Sequence, residues 1–580
     1  NLEPIDIDLI DLEDKGTFDL LQKGLSTAVF QLESRGIKEY IVKLKPSNFE
    51  DIIALVALYR PGPLEMKMVD TYINRKKGIE KTRYGDEHVE KILKNTYGVI
   101  VYQEQVMQLA QEFSGFTLGQ ADLLRRAMGK KIPEEMEKQR PVFIDGAIKK
   151  GKSSRFAEGL FDQIETFAGY GFNKSHSAAY AMISYQTAWL KSHYPAQFMA
   201  AALSSEMGDA DKIQLLLDDG KALGLKILPP DINLSIKDFV AIDNETIVFG
   251  LGAIKGVGDP AIEDIISKRS KKTFQNLNEF VSRVDLKKVD KRSLEPLIKS
   301  GALDSFEDDR FVMLNKLEGA LKFARQKIEL KESKIDDLFG EISDSIEVKD
   351  YKIKNKFKEY GKAKLELTSL GFYLTAHPMD EEGWEARKIS PEPITSLSAG
   401  KHTQRCAGVV ITHKKINTRR GPLVFATLDD KSDRIELIIS GDVLEKFNHQ
   451  LDNEKIIVVD GEISIDNSKE KENLGLAKKM NVSSMLTLEQ ARMKFARKLT
   501  ISINSKDTSL LDKNIRELKL ISSNEIAEGC PVEIKYSSNE VDAEMDIADN
   551  FKILLNDFNL KKLVQNYGEE NLDINYFTRQ

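Results

Sequence analysis

The sequence predicts a multidomain chain: a mostly α N-terminal part, a short turn-and-helix module, a five-stranded β-barrel and a small α+β C-terminal part. Three observations carry this. Apolar residues recur at helical spacing through the first 235 or so residues. Residues 403–486 alternate with period two between turn signals, as short strands do. Between the two, "ETIVFGLGAIKGVGDPAIEDII" reads as a strand, a glycine-rich turn and a helix. A length of 580 residues accommodates roughly three to five domains.

The totals exclude several classes. Lys+Arg number 85 against Asp+Glu 92, with 41% hydrophobic and 31% charged residues, a composition of soluble globular proteins. No long uncharged apolar run and no signal peptide are present, so no membrane partner is expected. Cys406 and Cys530 lie far apart and give neither zinc spacing nor a disulfide framework, which points to a reducing cytoplasm. The seven histidines are scattered, so a His/Cys metal site is not expected. Mild overall acidity leaves nucleic acid open as a partner, because binding follows local charge. Ala121 to Arg155 carries ten Lys/Arg against five Asp/Glu. The first residue is Asn1 and the pattern starts abruptly, which reads as a segment of a longer chain.

Taken in order, residues 1–235 form the helical part. "SNFEDIIALVALYR" begins with a Ser47 cap and Glu50 three residues on, a capping-box spacing, and "RPGPLE" ends that helix. "YGVIVYQEQVMQLAQEFSGF" reads as a short strand followed by a helix. "SAAYAMISYQTAWLKSHYP" puts Ala178, Met182, Tyr185 and Trp189 on one helix face, a core stripe, before Pro195 interrupts. Residues 236–325 contain the glycine turn and a second helix, "KRSLEPLIKSGALDSF". Residues 326–400 are a charge-dense linker with one apolar island, "IDDLFG", and a connecting segment. Residues 401–488 are the barrel and 489–580 the C-terminal part. No internal repeat is seen.

The chemistry concentrates in two places. "AGYGFNKSHSAAYA" gathers Tyr170, Asn173, Lys174, Ser175 and His176 at a helix entrance, where backbone N–H groups and an ammonium suit a multiply charged anion. "LLRRAMGKK" sets Arg125 next to Arg126; adjacent side chains diverge by about 100° on a helix, so one is free to face a ligand while the other braces it. Arginine forks match phosphate oxygens. The plainer alternatives are arginines salt-bridged to Glu134, Glu135 or Glu137, and a structural His176. Asp6 and Asp8 form a D-x-D pair, but their alternation with apolar residues suits the wet face of a strand or turn, and no metal role is assigned to them.

Three further features point to nucleic acid or a partner protein. The turn carrying Lys255, Gly256 and Gly258 resembles a helix-hairpin-helix element, which grips DNA backbone without reading sequence, or is an ordinary loop. The first barrel hairpin, "THKKINTRRG", carries Lys414, Lys415, Arg419 and Arg420, and Phe425 follows as a stacking candidate; a basic loop on such a barrel suits an OB-fold binding single strands, or a purely structural barrel. Leu338 and Phe339, with Ile335, are a docking peptide in a polar linker, or tuck back onto the helical part.

The blocks "TAVFQLESRG", "DIIALVALYRPGPL", "YGVIVYQEQVMQLA", "LLRRAMGKK", "AGYGFNKSHSAAYA", "LKILPPDIN", "GLGAIKGVG" and "LGFYLTAHP" resemble the alpha subunit of bacterial DNA polymerase III, the C-family replicative polymerases. The resemblance implies that residues 1–235 are fingers. After them come a helix-hairpin-helix domain (236–325), a linker with the sliding-clamp peptide (326–400), an OB-fold (401–488) and a domain resembling the one that meets the tau clamp-loader subunit (489–580). It implies that Arg125, Arg126, Tyr170, Asn173, Lys174, Ser175 and His176 bind the incoming deoxynucleoside triphosphate. The catalytic aspartates of the palm, and with them the Mg2+ ligands of the whole polymerase, would precede Asn1. Duplex primer-template and single-stranded DNA, the clamp and tau are the implied partners. Ile335 stands where the family's clamp peptide has Gln, which removes a polar contact. The fragment alone is then expected to be inactive. The alternative is a DNA-binding and docking module without catalysis.

Overall fold

Asn48, not Ser47, caps the first long apolar helix: its side chain accepts the Asp51 N–H at 3.0 Å, while Ser47 N–H donates to the Asp51 carboxylate at 2.9 Å. The predicted capping box is thus displaced by one residue, because Asp51 is the carboxylate that reaches back. The structure is a computed structural model. It describes residues 5–130, 133–167, 170–306, 309–332, 358–381, 383–419, 421–447, 455–465, 478–504, 518, 529–537, 542–547 and 551–576. The chain divides into two units, one of residues 1–207, 212–228 and 238–248, the other of 208–211, 229–237 and 249–580. Among the described residues no helix is long and apolar enough to cross a membrane.

The first unit is helical: α1 (Lys15–Gln22), α2 (Arg35–Leu44), α3 (Phe49–Leu58), α4 (Pro61–Glu65), α5 (Met68–Lys76), α6 (Glu87–Leu93), α7 (Gln103–Ser114), α8 (Leu118–Lys130), α9 (Pro133–Lys149), α10 (Ser154–Phe167), α11 (Lys174–His193) and α12 (Pro195–Ser205), then most of α13 (Ala210–Ala222). A three-stranded sheet, ordered β1 (Lys226–Leu228), β3 (Thr246–Val248), β2 (Val240–Ala241), closes it. Two apolar cores form. One gathers Leu21, Ile41, Ile52, Leu55, Tyr72 and Tyr185; the other gathers Leu109, Phe113, Leu124, Phe143 and Phe161.

The buried face of α11 differs from the predicted stripe. Ser177, Ala181, Ser184, Tyr185, Ala188 and Lys191 are buried, while Ala178, Met182 and Trp189 sit at the margin. Small residues at i, i+4, i+7 and i+11 let neighbouring helices approach closely. Ser184 satisfies its hydroxyl on its own helix at Tyr180 C=O, 3.0 Å. Lys191 is fully buried because it is paired: its ammonium donates to Asp219 at 2.6 Å and to Thr27 C=O at 2.7 Å.

The second unit begins with α14 (Asp259–Arg269), α15 (Leu277–Arg283), α16 (Lys291–Lys299), α17 (Arg310–Glu332) and α18 (Lys358–Leu370). Arg310, 1% exposed, ties α17 to Asp304 at 2.8 Å and to the fully buried Glu366 of α18 at 3.2 Å. Glu366 also accepts the N–H groups of Leu374 and Thr375, at 2.8 and 2.9 Å. The short helices α19 (Pro378–Glu381) and α20 (Gly383–Ile389) follow.

Strands β4 (Gly400–Thr418), β5 (Gly421–Asp429), β6 (Arg434–Ser440), β7 (Ile456–Ile465) and β8 (Lys478–Thr487) close a barrel in the order β4-β5-β6-β8-β7, with α21 (Gly441–Phe447) after β6. Alternate residues such as Val424, Ala426 and Leu428 point inward, as period two requires. Beyond it, α22 (Leu488–Phe495) leads to β9 (Ala496–Asn504), β10 (Cys530–Ser537), β11 (Asp542–Asp546), β12 (Lys552–Ile553), α23 (Asp557–Tyr567) and β13 (Leu572–Tyr576). The sheet runs β11-β10-β9-β13, with β12 on β10. Its core is shared: Ile501, Val532 and Leu563 pack in one cluster with Ile389 of α20 and Val409 and Val458 of the barrel.

Candidate functional site

The entrance of α11 is built by long-range contacts. Asn173 caps the helix, accepting the His176 N–H at 2.8 Å, and its amide donates to Glu104 at 2.6 Å. The other Glu104 oxygen accepts the Lys174 N–H at 3.0 Å, so a carboxylate from the start of α7 stands at the helix N-terminus. The Lys174 ammonium pairs with Glu50 of α3 at 3.0 Å and lies 5.4 Å from the centre of the Tyr102 ring. His176 stacks on Tyr180 at 4.4 Å and meets Phe172 edge-on; it and Ser175 are exposed. The backbone of Gln103 donates to Phe172 C=O at 2.9 Å, and Tyr102 and Phe172 form a parallel bridge, which stitches α7 to this segment.

Tyr170 is held from the opposite side. Its carbonyl accepts from Arg60 at 2.9 Å, and that guanidinium sits 4.1 Å over Phe172. A Cβ on Gly62 would stand 2.1 Å from the Tyr170 ring. The "RPGPLE" turn therefore does more than end a helix: its glycine leaves room for Tyr170.

Arg125 and Arg126 are half-buried and exposed respectively, and they do not diverge as the helical angle suggests. One carboxylate holds both: Asp122 takes Arg125 at 2.8 and 2.9 Å and Arg126 at 2.8 Å. The Arg125 hydrogen bond is foremost in holding the Asp122 carboxyl below its usual range. Their partner is Asp122 rather than Glu134 or Glu137; the Glu135 side chain lies outside the described residues. The signal was present, since Asp122 lies at i−3 and i−4 from the two arginines. No contact recorded among the described residues joins this pair to Lys174 or His176; what links them is α7, on which α8 packs and to whose first turn α11 is tied.

At the glycine turn, Gly256 has φ +89°, a conformation that favours glycine. Gly258 is the N-cap of α14. The Lys255 N–H donates to Ser369 C=O at 2.9 Å, and its ammonium lies against Gly371, at the C-terminal end of α18, where a cation is favourable. A related pattern stands 32 residues on, where Leu286-Lys287-Lys288-Val289-Asp290 aligns with Ile254-Lys255-Gly256-Val257-Gly258, although Lys288 does not share the positive φ of Gly256. Val257 and Val289 are both buried, and Asp290 caps α16 as Gly258 caps α14. Lys287, Lys288, Lys291 and Arg292 are exposed here. The relation is hidden in the sequence because Lys288 and Asp290 stand where the first pattern has its two glycines.

The basic hairpin of the barrel is ladder, not loop. Pairing continues from Val409–Asp429 out to Thr418–Gly421, so Lys414 stands opposite Phe425 and Lys415 opposite Val424. Lys414 and half-buried Phe425 therefore share the outer face; Lys415 belongs to the other. Lys414, Lys415 and Arg419 are exposed. Arg420, and Ile335, Leu338 and Phe339 of the linker, lie outside the described residues. Two cavities of about 550 and 480 Å³ flank Ser390, Pro391 and Glu392, away from every residue nominated above. Asp6 caps a single 3₁₀ turn by accepting the Asp8 N–H at 3.1 Å. Among the described residues no three His, Cys, Asp or Glu side chains cluster closely enough to hold a metal ion.

Residues 1–151 match the model of the bacterial DNA polymerase III alpha subunit finger domain, 224–313 a helix-hairpin-helix motif, and 405–485 an OB-fold nucleic acid binding domain. The DNA polymerase III subunit alpha of Vibrio cholerae is 43% identical over 99% of this chain and 50% of its own length. Those of Pseudomonas fluorescens and Escherichia coli O157:H7 are each 42% identical, again over 99% of this chain and 50% of theirs. The chain belongs to the bacterial DNA polymerase III alpha-subunit family. It spans about half the length of the curated relatives it matches. In DNA polymerase III alpha terms, the finger match includes Glu50, Glu104, Asp122 and both arginines and stops before Tyr170; contacts from Glu50 and Glu104 connect the α11 entrance to it. The helix-hairpin-helix match contains both turns, and the OB-fold match covers most of the barrel.

Proposed function

We propose that this chain supplies the fingers and DNA-gripping parts of a replicative DNA polymerase. In this reading the α7–α8 hairpin and the α11 entrance receive the triphosphate of the incoming deoxynucleotide. The supporting observation is the concentration of anion-binding groups around α7: the Arg125 and Arg126 forks on α8, the Lys174 ammonium, and the Asn173-capped N-terminus of α11. At 1.5 Å per residue, Arg125 is about 10 Å along α8 from the 115–117 turn and Glu104 about 15 Å back along α7, a separation that a returning hairpin brings toward one end.

Such groups neutralise a polyanion and stabilise the charge that grows on pyrophosphate as it leaves, without reorganising during the reaction. In the same reading Tyr170, seated on Gly62, meets the sugar or base. Mg2+ is the ion expected of the whole polymerase; the described residues do not fit it, so this chain is given no metal role. The two helix-hairpin turns grip duplex backbone and the barrel's basic ribbon meets single-stranded template. By the same resemblance the 335–339 peptide docks on the sliding clamp, the C-terminal part meets tau, and the setting is the cytoplasm.

In a polymerase carrying these residues, Arg125→Ala with Arg126→Ala should raise the nucleotide KM or lower kcat by about tenfold to a hundredfold, the worth of charge-assisted hydrogen bonds. Primer-template affinity should change far less. Equal loss of both would assign the arginines to DNA and favour the non-catalytic docking module. The chain alone should not extend a primer in Mg2+; extension by a preparation free of other polymerases would refute the division.

A further inference from the structure

The groups assigned to the triphosphate are not free. Lys174 Nζ is held by Glu50 at 3.0 Å, and the Lys174 N–H and Asn173 amide are held by Glu104 at 3.0 and 2.6 Å. Both carboxylates arrive from other helices, α3 and α7, and the Glu50–Lys174 pair is only partly covered, at 43% and 37% exposure. Beneath the Lys174 ammonium lies Tyr102, buried, its hydroxyl without a hydrogen-bond partner among the described residues. An unpaired buried hydroxyl is uncommon, and here it leaves a polar atom next to the ammonium for a ligand to engage.

We infer that Glu50 and Glu104 are resident anions, exchanged for phosphate oxygens when nucleotide arrives. The inference rests on the nucleotide reading above and adds positioning residues to it. Before nucleotide binds, the carboxylates keep Lys174 and the α11 amides aimed and compensated. A single carboxylate is a weak competitor for a triphosphate, so exchange is favourable, while a ligand with one negative charge gains little by displacing it. The carboxylates thus raise the threshold for binding and select for polyphosphate over monoanions.

The two glutamates differ in what they hold, and that difference supplies the test. Binding of dATP, with inorganic tripolyphosphate as second probe, is measured by calorimetry on the full chain at fixed ionic strength. Glu50→Gln should tighten both probes about two- to fivefold, the range of a partly exposed ion pair. In a Lys174→Ala background the same substitution should change nothing, because its partner is gone. Glu104→Gln should tighten binding in both backgrounds, since its partners are the Lys174 backbone N–H and the Asn173 amide. Equal tightening by Glu50→Gln with and without Lys174 would show general repulsion and overturn the exchange, as would no tightening at all. A Glu104→Gln gain that disappears with Lys174→Ala would remove Glu104 from it. If Lys174→Ala and the double arginine variant both leave dATP affinity unchanged, or if no form binds, the nucleotide reading itself fails. Circular dichroism of each variant checks that the helices persist.

Discussion

Arg492 Nε donates to Glu385 Oε1 at 2.5 Å and Nη2 donates to Oε2 at 2.9 Å, a forked pair spanning 107 residues and buried at both ends. Tyr576 Oη donates to the same Glu385 oxygen at 2.5 Å, and Arg492 Nη1 reaches Asp557 at 2.9 Å. The first turn of α23 and the last strand are thereby bound to α20, which lies before the barrel in sequence. The C-terminal part is not self-sufficient: its core includes Ile389, Val409 and Val458.

Arg492→Met leaves Glu385 charged and uncompensated, and should destabilise this unit by ~3–5 kcal/mol. Adding Glu385→Leu should restore much of that loss, because two apolar residues replace two paired charges. Urea unfolding of the full chain reads both. Residues 489–576 expressed alone should not melt cooperatively; a sharp transition would contradict the shared core.

Asp429 predicts a pH signature. Burial alone would raise its carboxyl, but His377 Nε2, the Arg434 guanidinium and the Lys431 N–H outweigh burial and hold it below the usual range. Its His377 partner has a fixed tautomer, because Nδ1 accepts the Met379 N–H at 3.1 Å. A carboxyl depressed in the folded state contributes stability that is complete above the unfolded value, about 3.9, and is lost as pH falls through the folded value. Asp429→Asn should therefore weaken the fold at neutral pH, and its deficit against the parent should shrink below about pH 4. Denaturant midpoints followed by circular dichroism across that range check this; a constant deficit would exclude it.

Local chemistry made much of this legible and long-range chemistry did not. The turn at Gly256 was legible because two glycines stand just before an apolar helix, and the Asn173–His176 entrance because caps lie within four residues. The bracket of Asp122 on Arg125 and Arg126 lies within helical reach and is legible as i−3 and i−4 spacing, although downstream glutamates offer the same charge. Glu50 and Glu104 could not be read: they meet Lys174 from 124 and 70 residues away. Nor could the α11 core face be foreseen by counting apolar residues, because Ser177, Ser184 and a paired Lys191 are buried there.

Gly62 and Tyr170 offer a test of how the proposed nucleotide site is seated, in a polymerase carrying these residues. With a Cβ only 2.1 Å from the ring, Gly62→Ala must push Tyr170 aside, and overpacking of this kind costs ~1–3 kcal/mol. If Tyr170 meets the sugar or base, the variant should also raise the nucleotide KM while leaving DNA affinity in place. Tyr170→Ala should raise KM as well, and the double variant should be no worse than Tyr170→Ala alone, since the clash is gone. Additive KM effects would mean Gly62 acts elsewhere.

If the ribbon of β4 and β5 meets single-stranded DNA as proposed, its two faces separate two kinds of contact. Lys414 and Phe425 are cross-strand partners and so face the same way; Lys415, beside Val424, faces the other. A strand lying on the outer face would meet the Lys414 charge and the Phe425 ring together. Lys414→Ala should then reduce the slope of log affinity against log salt by about 0.7, one phosphate contact. Phe425→Ala should lower affinity by ~1–3 kcal/mol, the worth of one stacked base, with the slope unchanged. Lys415→Ala should do neither if the strand keeps to one face. Fluorescence anisotropy with an oligothymidine at several salt concentrations distinguishes these outcomes. Equal slope changes for Lys414 and Lys415 would mean that the ribbon is wrapped on both faces, and an unchanged slope for Lys414 would move the strand off the ribbon altogether.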